Sequence, residues 1–332
     1  MAAAASAWLA SLDEGQRSRA QQPGPAGGPA AEAERLRWHY VPTDHGGLPL
    51  GAQRPAQQSL AVRLVATGLS AAGYVTVCGV MGLENLLDGT EGLPGTGDRE
   101  RLRDPGLYYL RVFGEPGGAQ PWGWRFGGHH VSLNNLVVDG RVRAVTPCFL
   151  GANPAAAPLL GAGTLRVLGP TEDLARELVR SLPPAQRARA VLLDRAPPDI
   201  VSGNRPRLPD AGEVEAGPAV GPLPLTARPR GLPGSELDDD RRWLLAALVS
   251  AYVGRVPDGL VPPVDLDGVH LAWAGSTDPG RPHYHRLQGP RLLAEWDDTQ
   301  RGGNHAHSVW RDPEADFGLD ALADHRARHH RG

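Results

Sequence analysis

The chain has 332 residues, of which 41% are hydrophobic and 21% are charged, a composition typical of globular proteins. Its formal net charge of −3 is not that of a protein that binds nucleic acid or an anionic membrane by charge. No apolar run approaches the roughly 20 residues of a membrane helix, and no signal peptide is evident. We therefore expect a cytoplasmic protein. All 34 basic residues are arginine, which indicates a GC-rich bacterial genome.

The first segment of the chain is rich in Ala, Gly and Pro, as in "QQPGPAGGPAAEAE" at residues 21–34. Such a composition offers little apolar surface to bury, so we predict a disordered tail over residues 1–34 and a domain over residues 35–332. Two helices are predicted next, over residues 57–68 and after Ser70 as N-cap. The second helix is apolar nearly all round, which predicts that it is buried.

Glu84 lies inside that second helix, among Val, Met and Leu. A buried carboxylate needs a cation, a metal or hydrogen-bond donors, so Glu84 is a candidate pocket residue. The alternative is a position near the helix end, facing water. The two cysteines, Cys78 and Cys148, stand in apolar surroundings and are predicted to be buried thiols, with a disulfide as the alternative.

Strand patterns follow from residue 104 onwards. The stretch "WGWRFGGHHVSLNNLVV" at residues 122–138 predicts a long strand, joined to "RVRAVTPCFLG" by Asp139-Gly140, a strong hairpin signal. Alternating residues of the long strand place aromatic and polar side chains on one face, which is typical of a pocket wall: Trp122, Trp124, Phe126, His130, Ser132 and Asn134. The alternative is a buried polar network satisfied by neighbouring backbone.

The second half opens with an amphipathic helix after Thr171 and a Pro/Gly-rich stretch at residues 203–234, predicted to be a long loop. Ser235 and Asp238 form an acidic variant of a capping box before a further helix. Four short strand-like segments and a final helix follow: "GVHLAWAG", "PHYHRLQ", "RLLAEWD", "GNHAHSVWR" and "ADFGLDALADHRARHH". Helices and strands in separate blocks predict a single-domain α+β fold with antiparallel sheets and packed helices.

Residues two apart on a strand share a face, so His305 and His307 project together, and Glu295 projects with Asp297. If these segments are neighbouring antiparallel strands, they form a cluster of imidazoles and carboxylates. Such ligands suit Zn, Fe, Mn or Cu, so we predict a divalent transition metal. The candidate ligands are His129, Glu295, His305 and His307; the candidate catalytic residues are Glu84, His130, Asn134 and Arg311.

The other histidine pairs have ordinary explanations. His283 and His285 also share a face, but their spacing is common on solvated strands, and they are weaker candidates. His329 and His330 end the chain beside arginines, where we expect solvent exposure.

Several long blocks together resemble a known family of bacterial proteins. "WGWRFGGHHVSLN", "TPCFLGANP" and "PRLLAEWDDTQRGGNHAHSVWRD" look like signature blocks of DUF3500, a domain of unknown function, as does "DFGLDALADH". The resemblance covers roughly residues 38–330. It implies one continuous unit with residues 203–234 as an internal loop. It also implies that Arg311, Asp312 and His325 belong to the family pattern, but it implies no activity.

Three functional hypotheses follow from these residues. The first is a metal-dependent hydrolase or oxygenase that acts on a small anionic substrate, with Arg311 holding the substrate's charge. The second is a metal-free protein that binds a small carboxylate or phosphate ester through the same residues. The third is a structural or interaction protein with a polar histidine core. The oligomeric state is not determined by the sequence.

Overall fold

The computed structural model describes residues 1–92, 101–159, 163–208, 223–226 and 228–329 of the chain. Its helices are α1 (Ala2–Ala10), α2 (Glu14–Ala20), α3 (Pro29–Leu36), α4 (Pro55–Ala66), α5 (Ala71–Glu91), α6 (Gly169–Ser181), α7 (Pro184–Ala190), α8 (Asp239–Val253) and α9 (Leu319–His329). Its strands are β1 (Gln21–Gln22), β2 (Leu48–Pro49), β3 (Tyr109–Phe113), β4 (Trp122–Gly128), β5 (Val131–Val138), β6 (Arg141–Ala144), β7 (Cys148–Ala152), β8 (Ala157–Pro158), β9 (Thr164–Leu165), β10 (Val191–Leu193), β11 (Leu232–Pro233), β12 (His270–Gly275), β13 (His283–Gly289), β14 (Leu292–Asp298) and β15 (Ala306–Arg311).

The chain divides into two compact units that are interleaved in sequence. The first unit comprises residues 1–149, 255–260 and 314–332; the second comprises residues 150–254 and 261–313. Each contains mostly antiparallel strands with packed helices, so the predicted α+β class is confirmed. The predicted extent of the domain, residues 35–332, stays a prediction.

In the first unit, β3, β4 and β5 form an antiparallel sheet, with β2 and the parallel β1 on β3 and with β6 on β5. The hairpin predicted at Asp139-Gly140 is confirmed, because both residues adopt positive φ angles of 52° and 72° between β5 and β6. Helix α9 covers this end of the sheet with Ala321 and Leu322, which pack among Leu136, Val138 and Ala144.

The single long strand predicted over residues 122–138 is wrong. The chain turns back at His129-His130, where Gly128 pairs with Val131 and His130 has a φ of 62°. The stretch is therefore a hairpin of two strands, and His130 sits in its turn rather than on a strand face with Asn134. Glycine inside a strand pattern often marks a bend or a turn. Gly127-Gly128 before the histidines was therefore the local signal for this reversal.

The prediction of a disordered tail over residues 1–34 is also wrong. Helices α1, α2 and α3 occupy most of it, and Trp8 is fully buried, with its indole N–H donating to Gln53 Oε1 at 2.9 Å. The Pro/Gly residues mark helix boundaries: Gly28, with a φ of 91°, precedes Pro29 at the first position of α3. A few large apolar side chains in this segment supply the burial that its average composition conceals.

Glu34, in α3, is the centre of an ion-pair network in the first unit. Its carboxylate accepts hydrogen bonds from Arg37 at 2.7 Å, Arg111 at 2.5 Å and Arg125 at 2.7 Å. Burial alone would raise the pKa of Glu34, but the hydrogen bonds from Arg37 and Arg125 outweigh it and lower the pKa to about 2. The network ties α3 to the sheet, since Arg111 lies on β3 and Arg125 on β4.

The remaining helices lie where the sequence predicts them, but their first residues, caps or burial differ from the prediction. Ser70 caps α5 by accepting from Gly73 N–H, as predicted. However, α5 exposes Val75 and Cys78, so it is not buried all round; Cys148 is buried, and both thiols are free. Helix α6 begins at Gly169, before Thr171, and Asp238 rather than Ser235 caps α8. Within the described residues, no helix has both the length and the apolar character of a membrane span.

The second unit is built on a meander in which β12, β13, β14 and β15 pair in sequence, all antiparallel. Strands β10 and β11 also pair with β12. Residues 209–222 and 227 of the predicted long loop lie outside the described residues, and its described flank packs inward, with Leu223 and Leu225 against Tyr284 on β13. One face of the meander is therefore covered by Val201, Leu223 and Leu225, and helices α6 and α8 pack together in the same unit.

The Glu34 network makes stability depend on pH in a defined direction. Because the pKa of Glu34 is lower in the folded protein than in the unfolded chain, its stabilisation is present above about pH 4.5 and is lost as pH falls towards 2. We expect Glu34→Gln to lower the free energy of unfolding at pH 7 by about 1–2 kcal/mol, a figure kept low because the carboxylate is partly exposed. Urea denaturation from pH 7 to pH 2.5 should show this deficit shrinking as pH falls, whereas Glu14→Gln, at an exposed position, should show none.

Candidate functional site

The strands that carry the predicted histidine and carboxylate pairs are neighbours in the second unit, as the sequence predicted. In the register, Asp297 on β14 lies opposite Tyr284 on β13 and His307 on β15. Glu295 lies opposite Arg286 and Val309, two positions further along the same face. This face therefore carries Asp297, Glu295 and His307, while His283 and His285 point to the opposite face.

Asp199, which precedes a turn at residues 200–203, completes a cluster on the first face. His307 Nδ1 lies 2.8 Å from Asp199 Oδ1 and 3.7 Å from Asp297 Oδ2. These three residues offer ligand atoms within 4.8 Å of one another, and we call them the Asp199 group. One imidazole and two carboxylates are a ligand set for a divalent transition metal.

Asp297 is the most constrained member of the Asp199 group. It is fully buried, and its Oδ1 accepts a 2.7 Å hydrogen bond from Thr299, while its Oδ2 has no hydrogen-bond donor among the described residues. Burial raises the pKa of Asp297 well above its usual value; the Thr299 hydrogen bond opposes this rise, and the charges of Asp199, Asp298 and Glu295 add to it. A bound cation would relieve both the burial cost and the repulsion.

A second cluster of similar composition lies on the opposite face and consists of Glu172, His283 and Asp298, all buried. We call it the Glu172 group. Here Arg176 on α6 donates to Glu172 Oε1 at 2.9 Å and lies 2.9 Å from His283 Nδ1. Burial, and next the charge of Arg176, lower the pKa of His283 to about 4, while burial raises the pKa of Asp298 to about 6.

Arg176 distinguishes the two clusters. Its guanidinium stands between the acid and the imidazole of the Glu172 group, and it also stacks over the Trp273 ring at 5.7 Å. The Glu172 group therefore has a built-in cation where a metal would otherwise bind. In the Asp199 group, the neighbouring charges that shift the pKa of Asp297 are all carboxylates. We therefore regard the Asp199 group as the better metal site.

Glu295, predicted to be a metal ligand, has a different arrangement. Its Oε1 accepts from Val201 N–H at 2.7 Å and from the Tyr284 hydroxyl at 2.7 Å, and its Oε2 accepts from Ser202 N–H at 3.0 Å. Both oxygens are thus engaged and the residue is fully buried. The carboxylate of Glu295 thus holds a turn and a phenol, and its predicted role as a metal ligand stays a prediction.

Two predicted residues that are distant in sequence meet in the first unit. Glu84 Oε1 lies 2.5 Å from His129 Nδ1, although the residues are 45 positions apart. Arg103, itself paired with Glu91 at 2.7 Å, lies 3.3 Å from the same nitrogen. Buried Glu84 therefore has a partner, as its position required, and the roles of Glu84 as a catalytic residue and of His129 as a ligand stay predictions.

Other predicted residues are placed as follows. His130 N–H donates to Tyr40 O at 2.9 Å in the hairpin turn, and Asn134 donates to Pro147 O at 3.0 Å, which matches the alternative of a polar network satisfied by backbone. His305 precedes β15, donates its N–H to Asp298 Oδ1 at 2.9 Å, and its ring centre lies 4.8 Å from that of His307. The predicted convergence of His130 and Asn134 with Glu295 and His305 stays a prediction.

Arg311 shares the face of His307, but four strand positions separate them by about 13 Å. It is also fully buried, so its predicted role of holding a substrate stays a prediction. The exposure expected for the 283/285 pair is wrong, because both rings are fully buried and stack on Trp273 and Trp296. His330 and the side chain of His329 lie outside the described residues.

The sequence interpretation missed Asp199, Asp298 and Glu172 as cluster members. Asp199 comes from "APPDIVSG", in which nothing but an acid before a small polar turn marks it. Its link to His307 spans 108 positions, which no local spacing rule detects. The sequence did predict that Asp297 shares a strand face with Glu295, and this alternation was the signal for the position of Asp297.

One known protein family matches almost the whole chain. A family model described as "Protein of unknown function (DUF3500)" matches residues 1–319. The chain belongs to the DUF3500 family. The match begins at the first residue, so the family includes the helical N-terminal segment that the sequence resemblance left out. No curated protein and no solved structure matches the chain.

Arg176 provides a test of the contrast between the two clusters. In Arg176→Gln, Glu172 keeps its ion pair with Arg166 but loses Arg176, and buried Asp298 loses a nearby positive charge, so we expect the free energy of unfolding to fall by about 1.5–3 kcal/mol. Arg180→Gln, on the same helix and half exposed, should change it by less than about 0.5 kcal/mol. Chemical denaturation of both variants at pH 7.5 measures the difference. Equal effects of the two substitutions would show that Arg176 is not the compensating charge.

Proposed function

We propose that this member of the DUF3500 family is a metal-dependent enzyme of the hydrolase or oxygenase type whose metal is bound by Asp199, Asp297 and His307. The observation that carries the proposal is the Oδ2 oxygen of Asp297, a fully buried carboxylate oxygen that lies 3.7 Å from His307 Nδ1. Two carboxylates and one imidazole would give a divalent cation three protein ligands and leave positions for water and substrate.

The separation of the three ligand atoms supports direct coordination. Ligands bound at about 2.0–2.2 Å from one metal ion lie roughly 3–4 Å from each other, and the group spans at most 4.8 Å. Small side-chain movements would therefore complete the site. His305 is a further candidate ligand, because its ring stands edge-on to that of His307 with centres 4.8 Å apart.

A metal in this group would supply hydrolytic chemistry in a direct way. It lowers the pKa of bound water towards 7 and stabilises negative charge that develops on the substrate. An oxygenase would use the same open positions for O₂ when the metal is iron, as in sites with two histidines and one carboxylate. If His305 took the place of one carboxylate, the ligand set would have that composition, so the oxygenase type stays part of the proposal.

The second unit has a cleft of about 600 Å³ on the face of the Glu172 group, opposite to the Asp199 group. It is lined by Arg166, Arg176 and Arg180 of the α6 region and by Gly303, two residues before His305. Arg166 and Arg176 are already paired with Glu172, so this cleft does not identify the substrate of the proposed metal site, and an anionic substrate remains part of the proposal to be tested.

The metal proposal is tested by elemental analysis of the native protein, followed by titration of chelator-treated protein with Zn²⁺, Mn²⁺, Fe²⁺ and Co²⁺. We expect one equivalent of metal, and we expect His307→Ala and Asp297→Asn to weaken binding by more than about 100-fold, beyond the effect of losing an outer partner. Metal at 100 times its Kd should stabilise the wild type by about 2.7 kcal/mol.

The control for this titration is Glu172→Gln, which alters the cluster that contains Arg176 and should leave metal affinity unchanged. A wild-type protein that binds none of the four metals would refute the proposal. In that case two hypotheses remain, a metal-free protein that binds a small anion and a protein with a polar histidine core, and binding of a small carboxylate or phosphate ester decides between them.

A further inference from the structure

The turn that follows Asp199 is held by two side chains, fully buried Glu295 and half-buried Arg205. Glu295 accepts hydrogen bonds from the amides of Val201 and Ser202, and Arg205 donates to the carbonyls of the same two residues at 2.8 and 3.0 Å. Gly203 N–H closes the turn by donating to Ile200 O at 3.1 Å. Ile200, Val201 and Ser202 are themselves buried, so the amides of this turn need acceptors, and the Glu295 carboxylate supplies them.

We propose that Glu295 is a positioning residue, which holds the turn at residues 200–203 so that Asp199 stays on His307. The expected effect on metal binding rests on the proposed function, since Asp199 is one of the three metal ligands proposed above. Glu295 itself binds no metal in this scheme, because its oxygens accept the turn's amide protons and the Tyr284 hydroxyl proton.

Asp199 needs such support more than its two partners do. His307 and Asp297 lie opposite each other on paired strands, where the ladder of backbone hydrogen bonds fixes their spacing. Asp199 lies outside those strands, and its side chain is 36% exposed. Its Oδ1 accepts from both Ile200 N–H at 2.7 Å and His307 Nδ1 at 2.8 Å, so its position depends on the path of the turn.

The spacing of the two acids on β14 explains how one strand can both hold the turn and contribute a metal ligand. Glu295 and Asp297 are two residues apart, so they project from the same face and at neighbouring positions. Asp297 contributes directly to the metal group, and Glu295 fixes the turn that brings Asp199 to it. The acid-x-acid pair in "AEWDD" is therefore an anchor followed by a ligand, not two ligands.

The first measurement needs no metal. In Glu295→Gln, the side-chain amide presents N–H donors to amides that are themselves donors, so the turn should loosen. We expect faster hydrogen–deuterium exchange of the amides at residues 200–203 and unchanged exchange in β12 and β13. Asp312→Asn, which alters another buried carboxylate of the second unit, is the matched control and should leave the turn unchanged. Unchanged exchange in Glu295→Gln would overturn the proposal.

The second measurement couples Glu295 to Asp199. We expect Glu295→Gln and Asp199→Asn each to weaken Zn²⁺ or Co²⁺ binding by about 10–100-fold, and the double variant to be little worse than either. Effects that add in the double variant would show that Glu295 acts on its own, as a ligand or as general support of the fold, and would overturn the proposal.

Two results separate this proposal from that of metal binding. If the wild type binds neither metal, the proposed function fails, while the exchange rates of the turn still decide the role of Glu295. If Glu295→Gln does not fold, Tyr284→Phe removes one hydrogen bond from the same carboxylate and should loosen the turn to a smaller extent. No loosening in a folded Tyr284→Phe variant would then overturn it.

Discussion

A carboxylate that leaves water must be compensated by hydrogen bonds, by a positive side chain or by a bound cation, and the buried acids of this protein use different solutions. Glu34 is compensated by arginines, and Glu295 by two backbone amides and a phenol. Glu172 pairs with Arg176. Asp297 accepts one hydroxyl hydrogen bond and has His307 at 3.7 Å, and burial together with neighbouring carboxylates raises its pKa, so it is the least compensated of these acids.

This difference in how buried charge is compensated distinguishes the two clusters of the second unit. The Glu172 and Asp199 groups contain the same residue types and lie on opposite faces of one meander. The guanidinium of Arg176 makes the former a closed ion-pair network. The Asp199 group combines two rigid strand residues with one residue on an anchored turn, which is how a site can be both fixed in geometry and accessible to a ligand.

Local pattern was a good guide to elements but not to their ends. Strand alternation predicted the β13, β14 and β15 neighbours, and Asp139-Gly140 predicted its hairpin, because both depend on residues close in sequence. The reversal at His129-His130 was missed because the alternation of aromatic and polar residues was interpreted as continuing across it. The ordered segment around Trp8 was missed because average composition hides one large side chain that finds a buried position.

The sequence by itself determined that His305 and His307 project together and that Asp297 projects with Glu295, since a period of two is a property of any strand. It also determined family membership, because long blocks of residues carry that resemblance. Only the tertiary structure decided that Asp199 lies beside His307 and that Arg176 lies beside His283, because these two residues come from distant segments and folding brings them to opposite faces of the meander.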